Sequence, residues 1–340
     1  MKRRSVIKMC AVLVFCTSIT AFGGSGPDSS AVKIDGGGEF LMGANPMDGV
    51  PHYDWYYGCS PTSGAMLVGY WDKRAGYENL FYGDASVESS ATREMIASAA
   101  HRVAGAENGY TYGDWQNSAS YPNHESNPDC IADFMHTVNM GSYSENIASG
   151  LEAYIEWDNP NTPINESYQA DVKLIDDSYW GGDLSYQILK DEIDADRPFM
   201  LNVVTFSASD DSWVGHSIVG YGYQDNMFTI AAADGSGNVV VPGIAVDDTW
   251  DNGVNFAQWL TDSDNNGAAD TVVNPYIDSL GAEWWPLMGI SLNGGYSYTS
   301  YMDWMVSDVI TLNIAVPEPV TVLLLSTGFV FIRFKTAKRS

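Results

Sequence analysis

A stretch of apolar residues from Cys59 to about Asp72 has almost no polar face when it is wound as a helix. Such a helix is typical of the centre of a domain rather than of its surface. Pro61 lies near the start of the stretch, and proline is pre-set for the first turn of a helix. The pattern therefore predicts a buried helix that begins close to Cys59.

The periodicity of apolar positions changes along the chain. Helical spacing predicts four further helices, at about 89–104, 128–139, 144–156 and 184–195. After Pro198 the pattern becomes β-like, in short runs between turn residues: 198–206, 216–223, 227–232, 239–241, 243–246 and, near the end, 309–314. Helices first and strands later predict an α+β domain, with a helical N-terminal half and an antiparallel β-sheet in the C-terminal half.

The two ends of the chain have their own patterns. A basic cluster and an apolar run predict a secretory signal peptide at 1–23, followed by a Gly- and Ser-rich leader at 24–49. The predicted folded domain spans 50–314. Residues 315–340 contain Pro317-Glu318-Pro319, a short apolar run and a basic tail.

This C-terminal order resembles the PEP-CTERM sorting signal of Gram-negative bacteria. The resemblance implies export, an exosortase-type sorting enzyme as partner and transient membrane contact through the C-terminal helix. A simple membrane anchor is the alternative, although a mainly apolar run of 13 residues is short for a spanning helix.

The chain is strongly acidic, with a formal net charge of −27. Eight of its 16 Lys and Arg residues lie in the first eight and last eight residues, and the 43 acidic residues all lie between them. Nucleic acids and anionic membranes are bound through basic patches, so this balance argues against both as partners. It fits an exported protein.

Cys59 is the candidate nucleophile. At a helix N-terminus the helix dipole and the free N–H groups favour the thiolate form. His216 precedes a β-like run and is the candidate base, while Asp248 follows another such run and is the candidate orienting acid. Asp247 is its rival, because adjacent strand residues point to opposite faces. Cys130 falls on an apolar helical face, where packing is the default reading.

Three motifs in this order resemble the papain-like cysteine peptidases, and within them the branch of bacteriocin-processing (double-glycine leader) peptidases: Tyr57-Gly58-Cys59-Ser60-Pro61-Thr62, Gly215-His216-Ser217-Ile218-Val219-Gly220-Tyr221 and Asp248-Thr249-Trp250. The resemblance implies a papain-like fold and a Cys59–His216–Asp248 triad that hydrolyses peptide or protein substrates. It implies no cofactor.

The chain departs from this family at one position. The family usually places a glutamine, an oxyanion donor, six residues before the cysteine, and here that residue is Tyr53. His52, the Tyr53 hydroxyl and the Trp55 indole remain as candidate donors. The departure keeps a second function open, that of a catalytically inactive, peptidase-fold surface or matrix-binding protein.

An acidic loop at 262–270 has oxygen-bearing residues at the spacing of a calcium-binding loop: Asp262, Asp264, Asn266 and Asp270. The twelfth position, where a glutamate is expected, is Val273. Two readings therefore remain, a structural calcium ion and a solvated turn.

Overall fold

A computed structural model describes the protein over these residues: 49–74, 77, 79–106, 128–137, 141–157, 168–176, 182–207, 212–231, 238–249, 276–277, 283–287, 291–292, 295–296 and 305–315. The predicted signal peptide, the acidic loop at 262–270 and the sorting signal beyond Ala315 lie outside these ranges. Within them, no helix is both long and apolar enough to cross a membrane.

Six helices precede or interrupt the strands: α1 (Cys59–Asp72), α2 (Ser90–Ile96), α3 (Ala99–Ala106), α4 (Ile131–Phe134), α5 (Ser144–Glu156) and α6 (Tyr186–Asp194). The bounds of α1 and α5 are those that the sequence predicts. All residues of α1 are buried, as expected for a helix with no polar face.

Nine strands follow in chain order: β1 (Gln169–Asp176), β2 (Phe199–Ser207), β3 (Ser212–Ala231), β4 (Asn238–Asp247), β5 (Tyr276–Ile277), β6 (Glu283–Pro286), β7 (Ser291–Leu292), β8 (Gly295–Tyr296) and β9 (Met305–Ala315). Seven of them form one sheet in the order β1-β9-β2-β3-β4-β6-β5, and β7 and β8 form a separate pair. Neighbouring strands of the large sheet are antiparallel. The α+β class is confirmed.

The large sheet has a different core on each face. On one face, Met200, Val219 and Ile310 pack with the buried residues of α1 and α5. On the other, Leu201 and Ile218 pack with residues of α6. Successive strand residues point to opposite faces, which explains why Met200 and Leu201 belong to different cores. The helix that begins with Cys59 therefore lies against the first face.

Two predicted helices are shorter than the periodicity indicates. The helix predicted at 89–104 is divided into α2 and α3 at Ala97, whose backbone is extended. The Ser98 hydroxyl accepts a hydrogen bond from the His101 backbone N–H at 3.2 Å, which favours a new helix start there. The helix predicted at 128–139 is reduced to α4, and His136 shortly after it has a positive φ of 51°.

The strand pattern also differs from the prediction. The runs predicted at 216–223 and 227–232 are one strand, β3, and His216 lies inside it rather than at its start. The β3–β4 register shifts between Gly220 and Gly222 and again between Gln224 and Phe228. At such irregularities extra residues stay within the strand, so the turn-like residues do not end it. Strand β1 was not predicted. It lies at the edge of the sheet, and its alternating burial gives a weak sequence signal.

Candidate active site

A strained turn immediately precedes α1. Tyr57 has a φ of 54° and Gly58 a φ of 144°, a region that glycine tolerates and other residues rarely adopt. The Thr62 hydroxyl fixes this turn, because it donates to the Gly58 carbonyl at 2.7 Å and accepts from the Tyr56 N–H at 3.1 Å. Backbone strain of this kind is held only where the surroundings over-determine it.

Cys59 is the first residue of α1 and is fully buried. The first turn of the helix contains no acidic residue. The positive end of the helix dipole is therefore not offset by a side chain of this turn. This agrees with the helix start predicted from Pro61.

His216 lies on β3 just beyond the end of its pairing with β4. That pairing ends at Asp247, opposite Val219. The His216 Nε2 lies 3.0 Å from the main-chain oxygen of Asp248, the residue that follows β4. A carbonyl oxygen can only accept, so Nε2 carries the hydrogen, and in the neutral ring Nδ1 keeps its lone pair. The ring is thus held in the tautomer that a base needs.

Two hydrogen bonds join the start of α1 to β3 beside His216. The Ser60 and Ser217 hydroxyl oxygens lie 2.9 Å apart, and the Ser63 hydroxyl donates to the Ser217 carbonyl, also at 2.9 Å. Ser60 follows Cys59 in sequence, and Ser217 follows His216. The two elements that carry the candidate nucleophile and base therefore meet at these residues.

The structure gives Asp247 and Asp248 different surroundings. Both carboxylate oxygens of Asp247 lie 2.9 Å from Nδ1 of His52, and one of them accepts from the Thr249 N–H at 3.2 Å. The Asp248 main-chain oxygen lies at the His216 ring. The sequence predicts a role for the Asp248 carboxylate, whereas this hydrogen bond uses its backbone. The Trp55 backbone N–H donates to the Thr249 carbonyl at 2.7 Å, and this bond joins the residues before α1 to those after β4.

Of the three candidate oxyanion donors, two have other partners. The Tyr53 side chain is fully buried, and its hydroxyl donates to the Ala85 carbonyl at 2.6 Å. The His52 ring pairs with Asp247. The Trp55 Nε1 is buried and makes no hydrogen bond to any of the residues that the structure describes. A buried N–H without a partner costs about 1–3 kcal/mol, a cost that an incoming oxygen would remove.

Cys130 has its own polar cluster, remote in sequence from Cys59. Its Sγ lies 3.1 Å from one carboxylate oxygen of Asp133, and the other oxygen lies 2.7 Å from Nδ1 of His101. All three residues are fully buried. Burial, and then the neighbouring Asp133 carboxylate, raise the pKa of the Cys130 thiol well above its usual range.

This cluster is also where the described residues offer ligands for a metal ion. The ligand atoms of His101, Cys130 and Asp133 lie within 4.8 Å of one another. The hydrogen bonds among them account for the arrangement without an ion. No pattern in the sequence pairs His101 with Asp133, because the contact joins residues 32 positions apart, on α3 and α4.

A thiol at a helix start and an imidazole on a neighbouring strand are the two side chains that a cysteine hydrolase requires. The model of the Peptidase_C39 like family matches residues 47–252, more than half of the chain. The protein belongs to this family, which supports cysteine peptidase activity on peptide or protein substrates. No curated protein matches the chain.

Proposed function

We propose that the protein is an exported, papain-like cysteine peptidase in which Cys59 is the nucleophile and His216 the general base and acid. Asp248 orients the imidazole. The observation that carries this proposal is the 3.0 Å contact between His216 Nε2 and the Asp248 main-chain oxygen, because it leaves Nδ1 as the nitrogen that accepts a proton. The Ser60–Ser217 contact supports the pairing of α1 with the His216 strand.

The reaction follows from these roles. Nδ1 of His216 takes the Cys59 thiol proton, and the thiolate attacks the peptide carbonyl carbon. The amine leaves with the proton held on Nδ1, and an acyl thioester remains on Cys59. Water then attacks the thioester, giving one proton to His216, and the acid product leaves as the thiol is restored.

The tetrahedral intermediates carry a negative oxygen that needs two donors. We assign the Cys59 backbone N–H as one donor and the Trp55 indole N–H as the second, in place of the glutamine that the family usually has. The buried Trp55 Nε1 supports this choice, as do the other partners of Tyr53 and His52. An oxyanion-hole donor typically contributes about 100- to 1,000-fold in rate.

The test is covalent labelling of Cys59 in the native protein. A thiol-directed epoxide inhibitor is expected to modify Cys59 and leave Cys130 untouched, as read by peptide mass spectrometry. A digest of a peptide library by the wild type and by Cys59→Ala then identifies the cleaved bonds. If native Cys59 resists the epoxide but reacts after unfolding, the reactive thiol is rejected.

One alternative function has support of its own. The glutamine is absent, and Cys59 is fully buried. Both features fit a peptidase fold that has lost its chemistry and serves as a surface or matrix-binding protein. The labelling experiment separates the two functions, because only the enzyme needs a reactive native thiol.

Export and sorting rest on the sequence of the two ends. We propose that the signal peptide at 1–23 is removed and that an exosortase-type enzyme processes the segment 315–340, with transient membrane contact through its apolar run. The intact mass of the protein recovered from the cell surface would identify both cuts. Retention of both ends would contradict this route.

Calcium is proposed only as a structural ion, held by Asp262, Asp264, Asn266 and Asp270. The catalytic steps need no cofactor. Removal of calcium with a chelator should then lower the melting temperature, and added calcium should restore it. An unchanged melting temperature would favour the solvated turn.

A further inference from the structure

A continuous chain of buried polar side chains leads away from the contact between α1 and β3. The Ser217 hydroxyl lies 2.7 Å from Oδ1 of Asn202 on β2, and Nδ2 of Asn202 lies 2.6 Å from Oδ1 of Asp308 on β9. With Ser60, these residues span four elements of the fold. All four are buried, and none is more than 4% exposed.

The direction of each hydrogen bond in this chain is fixed by chemistry. Asn202 Nδ2 must donate to the Asp308 carboxylate, so the other amide atom is the oxygen, and it must accept from Ser217. The Ser217 hydroxyl hydrogen is thereby used, and its oxygen accepts from Ser60. Every donor from Ser60 onward points toward Asp308.

Asp308 is surrounded by donors at the far end of the chain. Its second carboxylate oxygen accepts from the Ser144 hydroxyl of α5 at 2.9 Å and from the Ser307 hydroxyl at 2.7 Å. Burial raises the pKa of Asp308 to about 6, the three hydrogen bonds oppose that rise, and the charge of Asp176 on β1 adds to it. Burial, and then the charge of Glu145 on α5, in turn raise the pKa of Asp176.

Such a network is costly unless it is fully satisfied. A buried carboxylate contributes little net stability, and apolar residues of the same volume often serve as well or better. Satisfied networks of this kind instead restrict the fold to one arrangement. Here the restricted arrangement is the one between Ser60, which follows the candidate nucleophile, and Ser217, which follows the candidate base.

We propose that Ser217, Asn202 and Asp308 are positioning residues for the Cys59–His216 pair. The inference rests on the proposed function. The chain holds the Ser217 hydroxyl in a single orientation, and that hydroxyl fixes the start of α1 against β3. The distance and angle between the Cys59 sulfur and the His216 ring, on which proton transfer depends, are set by this contact.

The test is the pH dependence of Cys59 alkylation by iodoacetamide in the full-length protein, with the rate followed by mass spectrometry. Ser217→Ala removes the hydroxyl but keeps the carbonyl to which Ser63 donates. Its alkylation profile is expected to move by about one pH unit toward that of an ordinary thiol, near pH 8.5. Ser217→Thr restores a hydroxyl and should restore the wild-type profile.

Two further variants keep the test decisive. Ser142→Ala removes a buried hydroxyl that lies 2.9 Å from that of Thr137, a pair outside this chain of hydrogen bonds, and should lose stability without moving the profile. Asp308→Asn keeps the Oδ1 acceptor and removes the charge, and should move the profile in the same direction as Ser217→Ala by a smaller amount. This variant also serves if Ser217→Ala fails to fold.

The outcomes separate the inference from the proposed function. A wild-type Cys59 that alkylates like an ordinary thiol overturns both, because no thiol–imidazole pair exists to position. A shifted wild-type profile that stays unchanged in folded Ser217→Ala and Asp308→Asn overturns the inference alone. A shift in these variants, absent from Ser142→Ala and reversed in Ser217→Thr, supports it.

Discussion

The two buried cysteines of the described chain are each assigned a histidine and an aspartate, but the contacts among these residues are arranged differently. Each stands at the start of a helix. At Cys130 the carboxylate of Asp133 lies between the thiol and the imidazole of His101. At the other site, His216 contacts a backbone carbonyl of Asp248.

This difference in order is one reason why Cys59, and not Cys130, is proposed as the reactive thiol. Burial, and then the Asp133 carboxylate in contact with the thiol, raise the pKa of Cys130. At the proposed site, the hydrogen bond from the His216 ring is accepted by a main-chain carbonyl, that of Asp248. A cysteine, a histidine and an aspartate do not by themselves make a catalytic triad. Which of the three contacts which is also needed.

The largest expected effect is the loss of catalysis in Cys59→Ala. Removing the nucleophile of such a site costs about 10⁴-fold or more in kcat. Cys130→Ala should retain the activity per folded molecule, since this thiol is held protonated. Peptide hydrolysis by the two variants, normalised to the folded fraction, checks the contrast. Equal losses in both would show that the order of contacts does not decide reactivity.

Trp55→Phe is expected to lower kcat by about 100-fold with little change in KM, because it removes an N–H that acts only on the oxyanion. Trp71→Phe is the matched control. Trp71 lies at the other end of α1, and its Nε1 is likewise buried without a hydrogen bond to the described residues. Steady-state kinetics on both variants is the measurement. A similar kcat loss in the two would attribute the effect to packing.

Much of this architecture could be predicted from local patterns. The bounds of α1 follow from an unbroken apolar run and a proline, and the α+β class follows from the change of periodicity after Pro198. The edge strand β1 and the length of β3 could not be predicted in this way. Pairing with β9 stabilises β1, and register irregularities carry β3 through its turn-like residues.

The candidate site was predictable only in part, for a related reason. Cys59 and His216 stand in motifs that can be read along the chain. The hydrogen bond from the His216 ring reaches the backbone of Asp248, and a main-chain atom has no sequence signal. The chain from Ser217 to Asp308 joins residues more than 90 positions apart, and only the packing of β9 beside β2 brings them together.

Asp133→Asn is expected to destabilise the fold by about 3–5 kcal/mol, the usual cost of breaking a buried charged pair. The amide cannot accept from both Cys130 and His101 at its former oxygens. Activity per folded molecule should stay unchanged, since this cluster serves structure. Urea unfolding measures the first quantity and hydrolysis the second. A loss of activity beyond the folded fraction would contradict the separation of the two cysteine sites.

The smallest effect concerns Asp308. The pKa of Asp308 is raised to about 6, above its ordinary value of 3.8, so the folded state binds this proton more tightly than the unfolded state does. Its contribution to stability is therefore greatest at low pH and is lost as the pH rises toward 6. The difference in unfolding free energy between the wild type and Asp308→Asn should fall by about 1–3 kcal/mol from pH 4 to pH 8.

Taking this difference removes from the measurement the carboxylates that do not interact with Asp308, because they titrate equally in both proteins. Asp176 is the exception, since its charge acts on Asp308. Urea unfolding at several pH values supplies it. Asp171→Asn is the control, since Asp171 is exposed on β1, and its difference from the wild type should stay nearly level with pH. A level difference for Asp308→Asn as well would mean that this carboxylate is solvated in the folded protein. The chain that ends on it would then lack the buried charge that orients its hydrogen bonds.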